Sequence, residues 1–155
     1  MVAAASTHVF TLTDLAATIS LAKQVAAGAK GGDCFLMDGP VGAGKTAFAR
    51  AFIQTLIGPG EDVPSPTFTL VQTYDAPNFE VWHCDLYRLA SADELVELGL
   101  EDAFAQAVTL IEWPDRLGTL APVSAQRMVF ETVGEHQRRL TVIGDTRWAG
   151  MRAAA

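Results

Sequence analysis

Residues Gly39 to Thr46 read "GPVGAGKT" and fit the spacing G-x-x-x-x-G-K-[ST]. The chemistry open to that spacing is the holding of phosphate. Glycines let the backbone turn successive N–H groups into one hollow, where they cradle phosphate oxygens. Lys45 can reach the β- and γ-phosphates of a nucleotide, and Thr46 can offer its hydroxyl to Mg²⁺. A helix beginning near Lys45 would add the positive end of its dipole.

Turnover of a bound triphosphate needs acids as well, and two apolar runs end in one. "FEVWHCD" closes at Asp85 and "VTLIE" at Glu112. In a parallel sheet ligands gather at the carboxyl ends of strands, which would bring both acids to the edge that carries Thr46. Either carboxylate could hold magnesium, orient a water, or simply cap the loop that follows it, and spacing alone does not separate these roles. The segment "PSPTFT" is stiffened by Pro64 and Pro66, which would hold the hydroxyls of Ser65, Thr67 and Thr69 in an extended course after the phosphate-loop helix. Trp113 follows Glu112 directly and could stack on a base or pack in the core. Arg50, Arg88 and Arg116 are candidate charge stabilisers, each with a plain surface alternative.

The elements that must position these groups are visible in the pattern. "HVFTL" reads as a strand, followed by a helix capped at Thr13, with Leu15, Ile19, Leu21 (or Ala22) and Val25 at helical spacing and an end at Gly28. "DCFLMD" is a buried strand entering the glycines, and "TAFARAFIQTLI" is the helix leaving them. "TFTLVQTY" and "FEVWHCDL" are strands joined by the turn "DAPN". "SADELVEL" opens with a capping box, Ser91 and Glu94, and leads through Gly99 into "EDAFAQA". "VTLIEW" is a buried strand stopped by Pro114, and "QRMVFETV" with "QRRLTVIG" forms a hairpin around "GEH". The expected fold is an α/β three-layer sandwich on a mixed sheet, parallel at its centre and antiparallel at an edge.

Bulk properties narrow the class. The 155 residues are 50% hydrophobic and 19% charged, consistent with one globular domain spanning residues 1–155. No apolar run approaches the ~18 residues of a membrane span. The opening "MVAAASTHVF" is expected to be no secretory signal, and the alanine-rich ends are expected to fray. Cys34 and Cys84 lie far apart in apolar runs, as buried thiols rather than a disulfide or metal pair, and the three histidines make no ligand spacing. A cytoplasmic location follows as the expectation. A formal net charge of −7 argues against unaided nucleic-acid binding, which wants a basic face; Arg138 and Arg139 are one short pair.

"GPVGAGKT", "SPTFTLVQTY", "HCDLYRL", "ELGLEDAF" and "LIEWPDRLG", in this order and spacing, resemble the bacterial TsaE (YjeE) family over roughly residues 35 to 118. The phosphate loop is generic; "SPTFTLV", "DLYRL" and "EWP" in succession are specific. The resemblance implies a P-loop ATPase of tRNA modification that uses ATP and Mg²⁺. It would act on the TsaB–TsaD complex when threonylcarbamoyl is placed on the adenosine beside the anticodon of tRNAs reading ANN codons. It would not transfer the group itself, and would meet tRNA only through its partners.

By position the resemblance implies a nucleotide loop of Gly39 and Gly42, Ala43, Gly44, Lys45, Thr46 and Ala47, with Thr67 as the loop threonine and Trp113 near the nucleotide. Thr46, Asp85 and Glu112 would be the metal contacts, and Lys45, Asp85 and Glu112 the catalytic set. Arg138, outside the matched stretch, is added as a nucleotide contact. Pro40-Val41 and Ala47 depart from the more polar family pattern, and Cys84 stands where an aromatic is common. Two other classes stay open: a small-molecule kinase, which would need an acceptor pocket and a lid in the roughly 20 residues before "SPT", and a nucleotide-dependent binding module with little turnover.

Overall fold

The computed structural model describes residues 6–153; the frayed ends expected from the alanine-rich termini lie outside the described residues, apart from Ala153. Strands are β1 (Ser6–Leu12), β2 (Cys34–Asp38), β3 (Val71–Asp75), β4 (Glu80–Asp85), β5 (Val108–Glu112), β6 (Gln126–Thr132) and β7 (Arg138–Gly144). Helices are α1 (Leu15–Gly28), α2 (Lys45–Ile57), α3 (Asp93–Glu97) and α4 (Leu100–Gln106), with 3₁₀ turns at Pro114–Leu120 and Thr146–Trp148. Among the described residues no helix is long and apolar enough to cross a membrane.

The strands form one sheet in the order β1-β7-β6-β2-β5-β4-β3. β6, β2, β5 and β4 run parallel, while β3 pairs antiparallel with β4 at one edge, and β7 with β6 and β1 with β7 pair antiparallel at the other. The expected mixed sheet is therefore present, with antiparallel strands at both edges rather than one. The reason is connection length: "DAPN" and "GEH" are too short for a crossover, so each can only return the chain as a hairpin.

Alternation along each strand sorts the core into two layers. Phe35 and Met37 of β2 face the layer of α1 and α2, with Phe48, Phe52 and Ile53. Cys34 and Leu36 face the other layer, with Leu95, Leu100 and Ile111. Both cysteines are free and buried, and burial pushes the Cys34 thiol up to about 12, with Cys84 raised still further.

Three local expectations are corrected. Asp14, not Thr13, caps α1: its extended backbone lets the carboxylate accept the Ala17 N–H at 2.9 Å. Leu15 is exposed, and the buried stripe of α1 runs instead through Ala17, Leu21, Ala22 and Val25. The strand expected at "TFTLVQTY" begins only at Val71. Before it the chain turns, with the Leu70 N–H donating to the Pro66 carbonyl at 2.8 Å and Leu70 at φ +66°. The expected capping box forms only in part: the Glu94 carboxylate accepts the Ser91 N–H, but the Ser91 hydroxyl accepts from Asp93 rather than Glu94, and the helix starts after Ala92.

Candidate nucleotide site

The loop between β2 and α2 is built against β6. A Cβ on Gly39, where φ is +146°, would lie 2.6 Å from the Phe130 carbonyl oxygen, so only glycine lets the chain pass. Phe130 also meets Phe48 edge-on, 5.6 Å between ring centroids, which ties the first turn of α2 to the same strand. Positive φ at Gly42 and Gly44 brackets Ala43, the kind of alternation that turns amides into an anion nest. The loop opens on a cleft of about 510 Å³ lined by Gly42, Gly44, Lys45, Thr46 and Ala47 on one side and Thr67, Asp85, Glu112 and Trp113 on the other.

Strand parity brings the acids together. Residues 81, 83 and 85 of β4 share a face, as do 108, 110 and 112 of β5, and in both strands it is the face toward α2. The parallel register sets Asp85 directly opposite Glu112 and His83 opposite Leu110. Glu112, 2% exposed, accepts a hydrogen bond from the Thr46 hydroxyl on Oε1 at 3.0 Å and faces His83 Nε2 through Oε2 at 2.6 Å. Asp85, 6% exposed, accepts the Tyr87 N–H on Oδ1 at 3.0 Å and the Thr67 hydroxyl on Oδ2 at 3.2 Å. Spacing could not separate the two acids; their partners do. Glu112 belongs to the phosphate-loop helix and Asp85 to the segment before β3.

Lys45 is 5% exposed, its ammonium donating to the Gly39 carbonyl at 2.5 Å and lying 3.8 Å from the centre of the Trp113 ring. Burial pushes its pKa below the usual lysine range, against the pull of Glu112, Asp85, Asp38 and Asp115. Trp113 reaches this position because its backbone is left-handed, φ +60° and ψ +54°, which turns the chain off β5 into Pro114. A tryptophan there carries a strain of order 1–3 kcal/mol, held by contact with Lys45 and with Tyr87, whose ring centroid is 5.1 Å away.

The remaining sequence candidates divide. Arg138 comes to the loop, its Nε donating to the Gly42 carbonyl at 3.3 Å, in a second hollow shared with Asp14, Thr18, Glu135 and His136. Arg88 lines the cleft, 4.8 Å over the exposed Phe68 ring. Arg50 and Arg116 are turned to backbone carbonyls, Arg50 to Val63 and Arg116 to Tyr87 and Leu89, and brace loops. Sequence reasoning passed over His83 and Asp38. Asp38 pairs with Arg127 of β6 and sits near Asp115; burial first, and then Asp115, raise its pKa against the pull of Arg127. Both lie where the sequence had a signal, Asp38 as an acid closing an apolar strand and His83 at the position that shares a face with Asp85.

The donors that converge on the cleft are all oxygens: the Thr46 hydroxyl and the carboxylates of Glu112 and Asp85. That is the donor chemistry of a hard divalent cation such as Mg²⁺.

Comparison with known proteins agrees with this architecture. The family model described as threonylcarbamoyl adenosine biosynthesis protein TsaE matches residues 12–140. The tRNA threonylcarbamoyladenosine biosynthesis protein TsaE of Rickettsia bellii is 38% identical over 128 residues, 83% of this chain and 89% of that protein. Its namesake from Bacillus subtilis is 37% identical over 125 residues, 80% of this chain and 77% of that protein. The crystal structure of Bacillus subtilis YdiB superposes with a TM-score of 0.74 at 26% identity, over 96% of this chain and 93% of that one. The chain therefore belongs to the TsaE family of tRNA threonylcarbamoyladenosine biosynthesis.

Proposed function

We propose that the chain acts as a single P-loop ATPase domain that binds and hydrolyses ATP with Mg²⁺ as an accessory to threonylcarbamoyladenosine formation in tRNAs reading ANN codons. It acts on a TsaB–TsaD complex in the cytoplasm, touches tRNA only through those partners, and is not the threonylcarbamoyl transferase. The observation that carries this reading is the 3.0 Å contact between the Thr46 hydroxyl and Glu112 at the mouth of the "GPVGAGKT" loop. It joins the residue type that contacts magnesium in P-loop sites to a strand-end acid from a second strand.

In this reading the amides of Gly42 to Ala47 and the start of α2 bind the phosphates, with Gly39 shaping the entry to the loop. Lys45 leaves the Gly39 carbonyl for the β- and γ-phosphate oxygens, a charge-assisted exchange in a low-dielectric cleft. Thr46, Glu112 and Asp85 would hold Mg²⁺, directly or through water, and the ion would neutralise charge on the β- and γ-oxygens when bound. Asp85, joined to the Thr67 hydroxyl, is placed to orient a water against the γ-phosphate. Trp113 closes the γ-phosphate end of the cleft, and Arg138 with its hollow serves the nucleoside side of the loop. Arg88, which lines the cleft, is hydrogen-bonded to neither Asp85 nor Glu112 among the described residues, so slow hydrolysis by the protein alone and acceleration by partners are expected.

The kinase alternative finds no support in the connection from α2 to Thr67, which carries no helix that could serve as a lid. A binding module with little turnover would keep the phosphate contacts and make Asp85 and Glu112 dispensable.

The test is ATP hydrolysis measured for the protein alone, with TsaB–TsaD, and with small phosphoryl acceptors. Slow phosphate release that rises with TsaB–TsaD is expected; a phosphorylated small molecule formed without partners would overturn the reading. In parallel, Lys45→Ala should weaken Mg-ATP binding about 10- to 100-fold, the range for a lost charged hydrogen bond. Unchanged affinity would refute the phosphate site.

A further inference from the structure

His83 is fully buried within the sheet, at 0% exposure, two residues before Asp85 on the same face of β4. Its Nε2 lies 2.6 Å from Oε2 of Glu112, and a carboxylate oxygen accepts, so Nε2 is the donor. Its other ring nitrogen, Nδ1, is buried with no hydrogen-bond partner among the described residues. The histidine therefore makes a single polar contact, and that contact goes to the acid of the phosphate site. A ring held there for packing alone would be cheaper as an apolar side chain, because a buried polar atom without a partner is costly.

The contact divides the two oxygens of Glu112. The terminal torsion of a glutamate is broad and roughly two-fold, so a free carboxylate would rotate and present either oxygen. Here Oε2 is held from the β4 side by His83, and Oε1 is turned to the Thr46 hydroxyl on α2. We propose that His83 is a positioning residue of the nucleotide site, which fixes the Glu112 carboxylate so that Oε1 alone is presented to Thr46 and to the magnesium ion. This rests on the reading of Glu112 as a metal contact; His83 itself touches neither metal nor nucleotide. Hydrogen-bond partners one shell out from a metal ligand commonly contribute about 10- to 100-fold to metal affinity or activity.

The experiment compares wild type, His83→Phe and His83→Gln. Phenylalanine keeps a ring without the donor, while the glutamine amide nitrogen can still reach Oε2. Binding of a non-hydrolysable ATP analogue is measured with and without Mg²⁺, and steady-state hydrolysis is measured beside it. In His83→Phe the gain in analogue affinity on adding Mg²⁺ should fall about 10- to 100-fold while metal-free affinity stays within about twofold, and KM for Mg-ATP should rise with the lost gain, because in so slow an ATPase KM follows Kd. His83→Gln should recover most of both. His83→Phe with the wild-type magnesium gain overturns the proposal, as does a His83→Gln protein no better than His83→Phe. Wild-type protein that binds no nucleotide marks instead the failure of the ATPase reading.

A second measurement needs no His83 variant to fold. Long-range ¹H–¹⁵N spectra of the wild-type protein should show His83 with its proton on Nε2, and the Nε2 resonance should move in Glu112→Gln. A proton on Nδ1 with Nε2 bare overturns the proposal.

Discussion

The ends of β4 and β5 carry neighbouring acids in one register, yet they are built in opposite ways. At the end of β5, both oxygens of Glu112 are engaged by side chains of regular elements, Thr46 on α2 and His83 inside β4. At the end of β4, Asp85 is engaged by the segment that precedes β3. Its carboxylate takes the Thr67 hydroxyl, its N–H donates to the Leu70 carbonyl, and Thr67 meets Ser65 in turn at 2.9 Å. Phe68, in the same segment, is 83% exposed. One acid is fixed by the parallel centre of the sheet, where packing leaves no freedom; the other is as well placed as a surface turn allows. A site that joins a rigid side to a loop-borne side could change its rate through the loop without losing its nucleotide, which suits the partner-governed ATPase proposed above.

Glu112→Ala should have the largest effect if the β5 side is the metal side. Hydrolysis should fall about 100- to 1,000-fold, the scale of losing a preorganised charged group, with metal-free ADP affinity nearly unchanged. Wild-type turnover in this variant would erase the distinction between the two ends. Asp85→Asn comes next. The amide can still accept from Tyr87 and donate to Thr67, so the turn survives while the carboxylate charge is lost. A fall of about 10- to 100-fold in kcat is expected, with the melting temperature of wild type. A larger drop than for Glu112→Ala would reverse the assignment of roles. The mildest change is Thr67→Val, which removes one hydroxyl and leaves Asp85 in place. It should lower kcat about 3- to 10-fold, in line with a single hydrogen bond of ~1 kcal/mol, and should blunt the response to TsaB–TsaD. Equal loss with and without the partner complex would show that the loop side carries no regulation.

How far the sequence reached depended on the range of the interactions involved. The glycines of the loop, the strand–loop–helix order and the acids at two strand ends were legible, because local spacing and strand parity determine them. The turn at Thr67 to Leu70 was read as strand, since "TFTL" has strand composition. What overrides it is contact with Asp85 eighteen positions on, together with a left-handed Leu70 that no local propensity favours. Asp14 took the cap expected of Thr13, a choice between neighbours that only the entry angle of the chain resolves.

From its residues alone, this chain commits to a loop of phosphate-binding spacing, to two acids at one sheet edge, and through its ordered motifs to the TsaE family. These are properties of type and spacing along the backbone. The tertiary structure alone decided which acid serves which partner: Glu112 with Thr46 and His83, Asp85 with Thr67. It also decided that Trp113 lies over Lys45 and that Arg138 reaches Gly42. Each of these contacts joins residues that are distant in sequence, and they meet because parallel strands set side by side bring their carboxyl ends to one place, the edge at which the antiparallel β7 begins with Arg138.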